Sequence, residues 1–206
     1  MPQTTVTRTI MERKIVGSLF VAVVLVACSS GEKHTDPPAP EKTTVESGGK
    51  AESKDVQAFF DAMKGDWHGG YDLWLMPTAP KEHSVSTAQI KADAKDDSLV
   101  MEYQWTRGNK RQRGAFHFDG SGTTAGFSWS DTFHSATDPM KGDGKLSDDG
   151  KRLVFISSYV AGPGQPAWGW RTEFTIVDSK TLKMEAYNIT PGGQEGLAVR
   201  CEYARQ

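Results

Sequence analysis

The chain is poor in cysteine. It has only two, Cys28 and Cys201, among 206 residues, too few for the disulfide framework that small exported domains use. Long apolar runs are also missing. The longest, residues 15–26, falls short of the roughly 20 residues a helix needs to cross a bilayer, and it ends in polar residues. Neither sign of charge dominates, with 24 basic and 26 acidic residues. There is no basic stripe for nucleic acid and no acidic tail for a charged partner. The usual chemical signatures are absent too: no Cys-x-x-Cys, no His-Glu-x-x-His, no Gly-x-Ser-x-Gly and no Walker loop. The glycine-rich run at 120–126 has the wrong spacing for a dinucleotide loop, and no helix follows to offer its N-terminus to phosphate. It reads as a hairpin turn. We therefore expect no cofactor, no metal and no nucleic-acid partner.

The N-terminus carries a definite pattern. Arg8, Arg13 and Lys14 precede the apolar run, which closes on Leu25-Val26-Ala27-Cys28. A basic flank, an apolar stretch and a small residue at the cut form a secretory signal peptide. With cysteine directly after the small residue, the four positions resemble the lipobox of bacterial lipoproteins. That resemblance implies cleavage before Cys28 and acylation of its thiol and new amino terminus. Two or more acyl chains hold stably where one holds marginally, so the membrane is the expected partner through lipid on Cys28. Ser29, rather than Asp, at the next position leans towards the periplasmic side of an outer membrane, where the cell has one. The divisions expected are 1–27 as signal peptide, 28–53 as lipidated tether and 54–206 as the folded head. Residues 29–53 mix Pro, Gly, Ser, Glu and Lys with almost no large apolar side chain, and cannot bury enough surface to offset ordering entropy. With Cys28 lipidated, Cys201 has no partner. It sits between Val199 and Tyr203 in a strand-like pattern and reads as a small core residue.

In the head, Val56, Phe59, Phe60 and Met63 recur at helical spacing, with Asp55 before them and Gly65 after. The period then changes to two. Strands are expected at 67–75, 83–94, 99–106, 113–118, 124–133, 142–146, 153–160, 168–177, 183–190 and 197–204, separated by turn residues such as Gly108-Asn109, Asp148-Asp149-Gly150 and Pro191-Gly192-Gly193. Connections this short favour antiparallel neighbours. About ten such strands hide their edges most simply by closing into an up-and-down barrel, giving a mainly β fold with one short helix before it.

Alternation assigns faces. Leu99, Met101, Tyr103 and Trp105 share one side of their strand; Phe127, Trp129, Asp131 and Phe133 share another; so do Trp168, Trp170, Thr172, Phe174 and Ile176, and Leu197, Val199, Cys201 and Tyr203. Their alternates, including Glu102 and Arg171, are mostly polar and face water. The dry face also holds Asp131, Thr172 and Asn188. An apolar wall with a few polar handles fits a cavity better than a solid core.

Met63-Lys64-Gly65-Asp66-Trp67 resembles the helix-then-Gly-x-Trp opening of lipocalin-like barrels. Together with Leu99-Val100-Met101-Glu102-Tyr103, Trp129-Ser130-Asp131, Asp148-Asp149-Gly150-Lys151, residues 171–178 and Glu202-Tyr203-Ala204-Arg205, it resembles the bacterial family called domain of unknown function 1579, over residues 56–205. The resemblance implies a calycin-type barrel and supplies no activity and no catalytic residues.

Function is expected to be binding: an envelope lipoprotein whose barrel takes a small, largely apolar ligand, with Trp129, Asp131, Tyr159, Trp170 and Tyr203 as pocket wall. An inward carboxylate at Asp131 needs an Arg, a hydroxyl, a ligand or a strand end in water as its partner. The alternative is a structural lipoprotein whose exposed loop at 161–166 docks a protein partner. Enzymatic activity is not expected, since no nucleophile–base pair is visible; an enzyme using Asp131 stands third. His117 is expected to pair near Thr124 or Ala125, leaving His134 about 30 Å away along the strand and beyond sharing a metal. The facing of His68 and His83 is not legible.

Overall fold

The computed structural model describes residues 55–96, 98–133 and 138–206. The signal peptide, Cys28, the tether and His134 lie outside the described residues.

Helix α1 spans Val56–Met63, and its N-cap Asp55 accepts a hydrogen bond from the Gln57 backbone N–H at 3.0 Å, satisfying one of the orphan donors of the first turn. Its four apolar residues, Val56, Phe59, Phe60 and Met63, are all buried. Ten strands follow: β1 (Gly65–Leu73), β2 (Glu82–Ala92), β3 (Leu99–Arg107), β4 (Lys110–Ser121), β5 (Thr124–Asp131), β6 (Met140–Leu146), β7 (Arg152–Val160), β8 (Ala167–Asp178), β9 (Thr181–Ile189) and β10 (Glu195–Arg205). Each pairs antiparallel with its chain neighbour, and β1 pairs with β10, so the sheet closes on itself. Closure leaves no strand edge to template another chain.

An up-and-down barrel has two ends. α1 sits at one of them, where the Val56 N–H donates to the Gly122 carbonyl and the Gln57 side chain donates to the Gly120 carbonyl in the β4–β5 turn. A lock holds α1 there. Trp67 Nε1 donates to the Met63 carbonyl at 2.8 Å. The Arg205 guanidinium lies 4.2 Å from the Trp67 ring centroid and donates to the carbonyls of Ala62, Lys64 and Ser179. A cation at a helix C-terminus meets the negative end of the macrodipole and caps orphan carbonyls.

Above α1 the interior is filled by rings. Phe118 meets Phe60, Phe116, Phe155 and Phe174, while Phe127 and Phe155 approach to 4.7 Å between centroids. Edge and offset geometries of this kind add to the burial of large apolar area. Glycine makes the room: a Cβ on Gly144 would meet the Phe155 ring at 2.4 Å. Hence the expectation of a cavity rather than a solid core fails in the α1 half of the barrel.

One register expectation also fails. His117 pairs with Ser128, not with Thr124 or Ala125, because β4 and β5 continue to a two-residue turn after Ser121. His117 stays exposed, on the outer face.

Candidate functional site

Opposite α1 lies the end that no helix covers among the described residues, here the open end, bounded by residues 74–81, 108–109, 132–133, 138–139, 161–166 and 190–194. The inward groups change character towards it, from phenyl rings to indoles, phenols and polar side chains.

Tyr103, Gly114 and Asp131 form one row across β3, β4 and β5. Tyr103 lies flat over Gly114, where a Cβ would come within 2.3 Å of its hydroxyl oxygen. In that position its hydroxyl accepts from Trp129 Nε1 at 2.8 Å. Trp129 stacks on Trp170, with centroids 5.6 Å apart, and Tyr159 meets the edge of Trp170. Three of the five expected wall residues thus form one chain of contacts, and Tyr159 donates to the Asn188 side-chain carbonyl at 2.8 Å. Asp131 points inward and is 8 % exposed; one oxygen accepts from the Phe133 N–H at 3.1 Å, where the strand ends. Tyr203 belongs elsewhere. It is fully buried on β10 and reaches across Gly69 to the Ser86 hydroxyl at 2.9 Å.

A second wall was not read from the sequence. Trp105 stacks on Tyr71 with centroids 4.2 Å apart, Phe133 meets Trp105 edge-on, and the Arg107 guanidinium covers Phe133 at 4.8 Å. Trp105 Nε1 and Ser84 Oγ are buried with no hydrogen-bond partner among the described residues. Such groups are rare in folded proteins, and each costs about 1–3 kcal/mol unless something outside the protein satisfies it. Both lie two residues from the open end of their strands, on β3 and β2, and Tyr71 pairs directly with Ser84. Beside them a rim cleft of about 850 Å³ is lined by Glu82, Arg107, Arg111, Gln112 and Phe133, among others. An outer groove of about 730 Å³ lies on the β1–β5 face and is lined largely by outward polar side chains such as Gln89, Gln104 and Arg113.

Burial raises the pKa of Tyr71, and the neighbouring Tyr103, Cys201, Asp131 and Tyr203 raise it further. Burial likewise raises Tyr103 and Tyr203. These phenols are neutral hydrogen-bonding groups at any ordinary pH. Burial also pushes the Cys201 thiol up, which makes it an inert core residue rather than a nucleophile. His68, His83 and His117 are all exposed on the outer face, and His83 pairs with Asp72 at 2.6 Å. Among the described residues no three His, Cys, Asp or Glu side chains converge as metal ligands do.

A family model described as protein of unknown function (DUF1579) matches residues 39–205. No functionally curated protein matches the chain. Among solved structures, the S-type phycobiliprotein lyase CPES from Guillardia theta is 16 % identical, with 74 % of this chain and 93 % of that chain covered at a TM-score of 0.51. Rv2717c from M. tuberculosis is 14 % identical, with coverages of 73 % and 96 % and a TM-score of 0.53. At these identities the likeness is one of fold. It still corrects one expectation. An enzyme, a lyase, has this barrel, so the reading of the chain as no enzyme does not stand: neither the fold nor the missing motifs exclude a reaction.

Proposed function

We propose a ligand-binding role for this chain, which belongs to the DUF1579 family of proteins of unknown function: the open end of the barrel takes a small, largely apolar molecule that carries a hydrogen-bond acceptor. The observation that carries this reading is the pair of buried, unpartnered groups, Trp105 Nε1 and Ser84 Oγ, beside the stacked Tyr71 and Trp105 rings. A ligand carbonyl, carboxylate or hydroxyl placed there supplies the missing bond, while its apolar body packs on Trp105, Phe133 and the Trp129–Trp170 stack. Small-molecule sites commonly combine an apolar wall with a few placed polar groups. Binding of this kind is compatible with a reaction on the ligand as well as with carriage.

The test uses cis-parinaric acid, a fluorescent fatty acid with an apolar chain and one carboxylate. Saturable binding at one molecule per chain is expected. Ser84→Ala weakens it about five- to thirtyfold, the equivalent of one hydrogen bond of roughly 1–2 kcal/mol, while leaving the stability of the ligand-free protein unchanged or slightly raised. Affinity equal to that of the parent sinks the role assigned to Ser84.

The setting we propose for this site is the cell envelope. Leu25-Val26-Ala27-Cys28 supports cleavage and lipidation at Cys28, with the head held at the periplasmic side of an outer membrane. Mass spectrometry of the mature N-terminal peptide tests this: diacylglyceryl and acyl masses on Cys28 support it, and an unmodified Cys28 contradicts it.

A further inference from the structure

The connections at the two ends of the barrel differ in how much charge they hold. At the α1 end they carry both signs, among them Asp93, Lys95, Asp96, Asp148, Asp149 and Lys151. At the open end, residues 74–80, 161–166 and 190–194 contain no charged side chain at all. They carry apolar residues instead. Leu75 and Met76 are 47 % and 51 % exposed, Val160 at the end of β7 is 61 % exposed, and Trp74 is half-buried beside them in sequence. The remaining short turn at this end is basic: Arg107, Lys110 and Arg111 flank Gly108-Asn109. Carboxylates near the rim are largely neutralised. Glu82 pairs with Arg107, Asp72 with Lys81 and Glu195 with Arg171, and Asp138 stands in the β5–β6 connection. Lys110 and Arg111 are exposed and make no ion pair among the described residues.

We propose that the open end docks on an anionic lipid surface, with Leu75, Met76 and Val160 entering the headgroup–acyl boundary and Lys110 and Arg111 facing the lipid phosphates. Exposed apolar side chains with adjacent cations are the composition that holds a protein in the interface plane, where buried apolar area and attraction to anionic lipid add together. The uncharged loops 161–166 and 190–194 cost little to bring against lipid, because they have no charge to desolvate. A protein partner is the less favoured occupant: interface cores are depleted of charge but enriched in buried aromatic anchors, whereas the exposed apolar residues at this rim are aliphatic. This attachment is separate from any lipid on Cys28, and it turns the mouth of the barrel towards the phase in which apolar molecules concentrate.

The test is vesicle flotation of the mature chain, residues 28–206, carrying Cys28→Ser, so that neither an acyl group nor the signal segment contributes, at low ionic strength. Vesicles contain either phosphatidylcholine alone or phosphatidylcholine with about a third phosphatidylglycerol. The parent is expected to float with the anionic vesicles, more weakly with the neutral ones, and to be released by salt. Leu75→Ser with Met76→Ser lowers the partition coefficient on both about tenfold. Lys110→Glu with Arg111→Glu lowers it on the order of tenfold or more on the anionic vesicles only. Far-UV circular dichroism and thermal unfolding confirm that both variants are folded. Equal flotation of the parent and both variants overturns the proposal, as does capture of a protein by the rim together with no rim-dependent flotation. Flotation that depends on the rim while cis-parinaric acid fails to bind retains this docking surface and removes the ligand site.

Discussion

Adding one methyl group at Gly114 probes the architecture of the open end most sharply. A Cβ there would sit 2.3 Å from both Cζ and Oη of Tyr103, well inside contact distance, so the ring must leave its place. The shift breaks the bond from Trp129 Nε1 and disturbs the rings stacked on Trp129. Overpacking costs about 1–3 kcal/mol, and the lost buried hydrogen bond about 1 kcal/mol more. Against this, Gly→Ala removes unfolded-state freedom and returns about 0.4–1 kcal/mol. Overpacking wins, and Gly114→Ala is expected to destabilise by roughly 1–3 kcal/mol, or about 3–12 °C in Tm for a domain of this size. The assay is urea unfolding followed by fluorescence, with Tyr103→Leu as the second arm of a double-mutant cycle. With the ring gone, Gly114→Ala is expected to cost less than about 0.5 kcal/mol. A full cost in the Tyr103→Leu background, or none in the parent, refutes the claim that glycine is there to let Tyr103 cross β4.

Two further outcomes are expected. Arg205→Ala removes donors to three carbonyls and the cation over Trp67; calorimetry should show a loss of about 2–3 kcal/mol, and Arg205→Lys should recover less than half of it because a lysine cannot span the fork. At Asp72, burial acts to raise the carboxyl pKa, but hydrogen bonds and charge from Lys81 and His83 outweigh it and hold it below the usual value. A depressed folded pKa stabilises above the unfolded value, near 4, and that stability is lost as pH falls through the folded one. Asp72→Asn is therefore less stable than the parent at pH 6, with the difference shrinking below about pH 4; a difference independent of pH contradicts the ion-pair assignment.

Much of the fold was legible because the chain alternates cleanly where it matters. Leu99, Met101, Tyr103 and Trp105 face inward as their period says, and so do Trp170, Thr172 and Phe174. α1 was readable from Asp55 and its apolar stripe. The β4–β5 end was not: Asp119, Gly120 and Ser121 carry turn chemistry, yet they pair with Gly126, Ala125 and Thr124, and the ladder runs on because backbone groups need partners whatever the side chains are. That slip moved His117 by several residues. β2 was harder still. Ser84 and Ser86 face the interior, while Val85 points outward and is 71 % exposed, the reverse of what hydrophobicity predicts. The reason lies on neighbouring strands, since Tyr203 reaches over to Ser86 and Trp105 to Tyr71, and only small residues fit beneath large ones. The signal that was available was glycine within strands. Gly114 and Gly144 each mark a ring from the adjacent strand lying across them. Asp131 was read as inward from its file alone, but its neighbours Tyr71 and Tyr103 come from β1 and β3, which only the closed sheet brings to it.

The most direct measurement is native mass spectrometry of the chain carrying Cys28→Ser, exported behind a plain cleavable signal peptide and purified without detergent from the cells that make it, paired with cis-parinaric acid titration of the same sample. The account predicts a single small molecule bound per chain, displaced by the probe, and weaker retention in Ser84→Ala. A bare chain mass together with no saturable probe binding contradicts it.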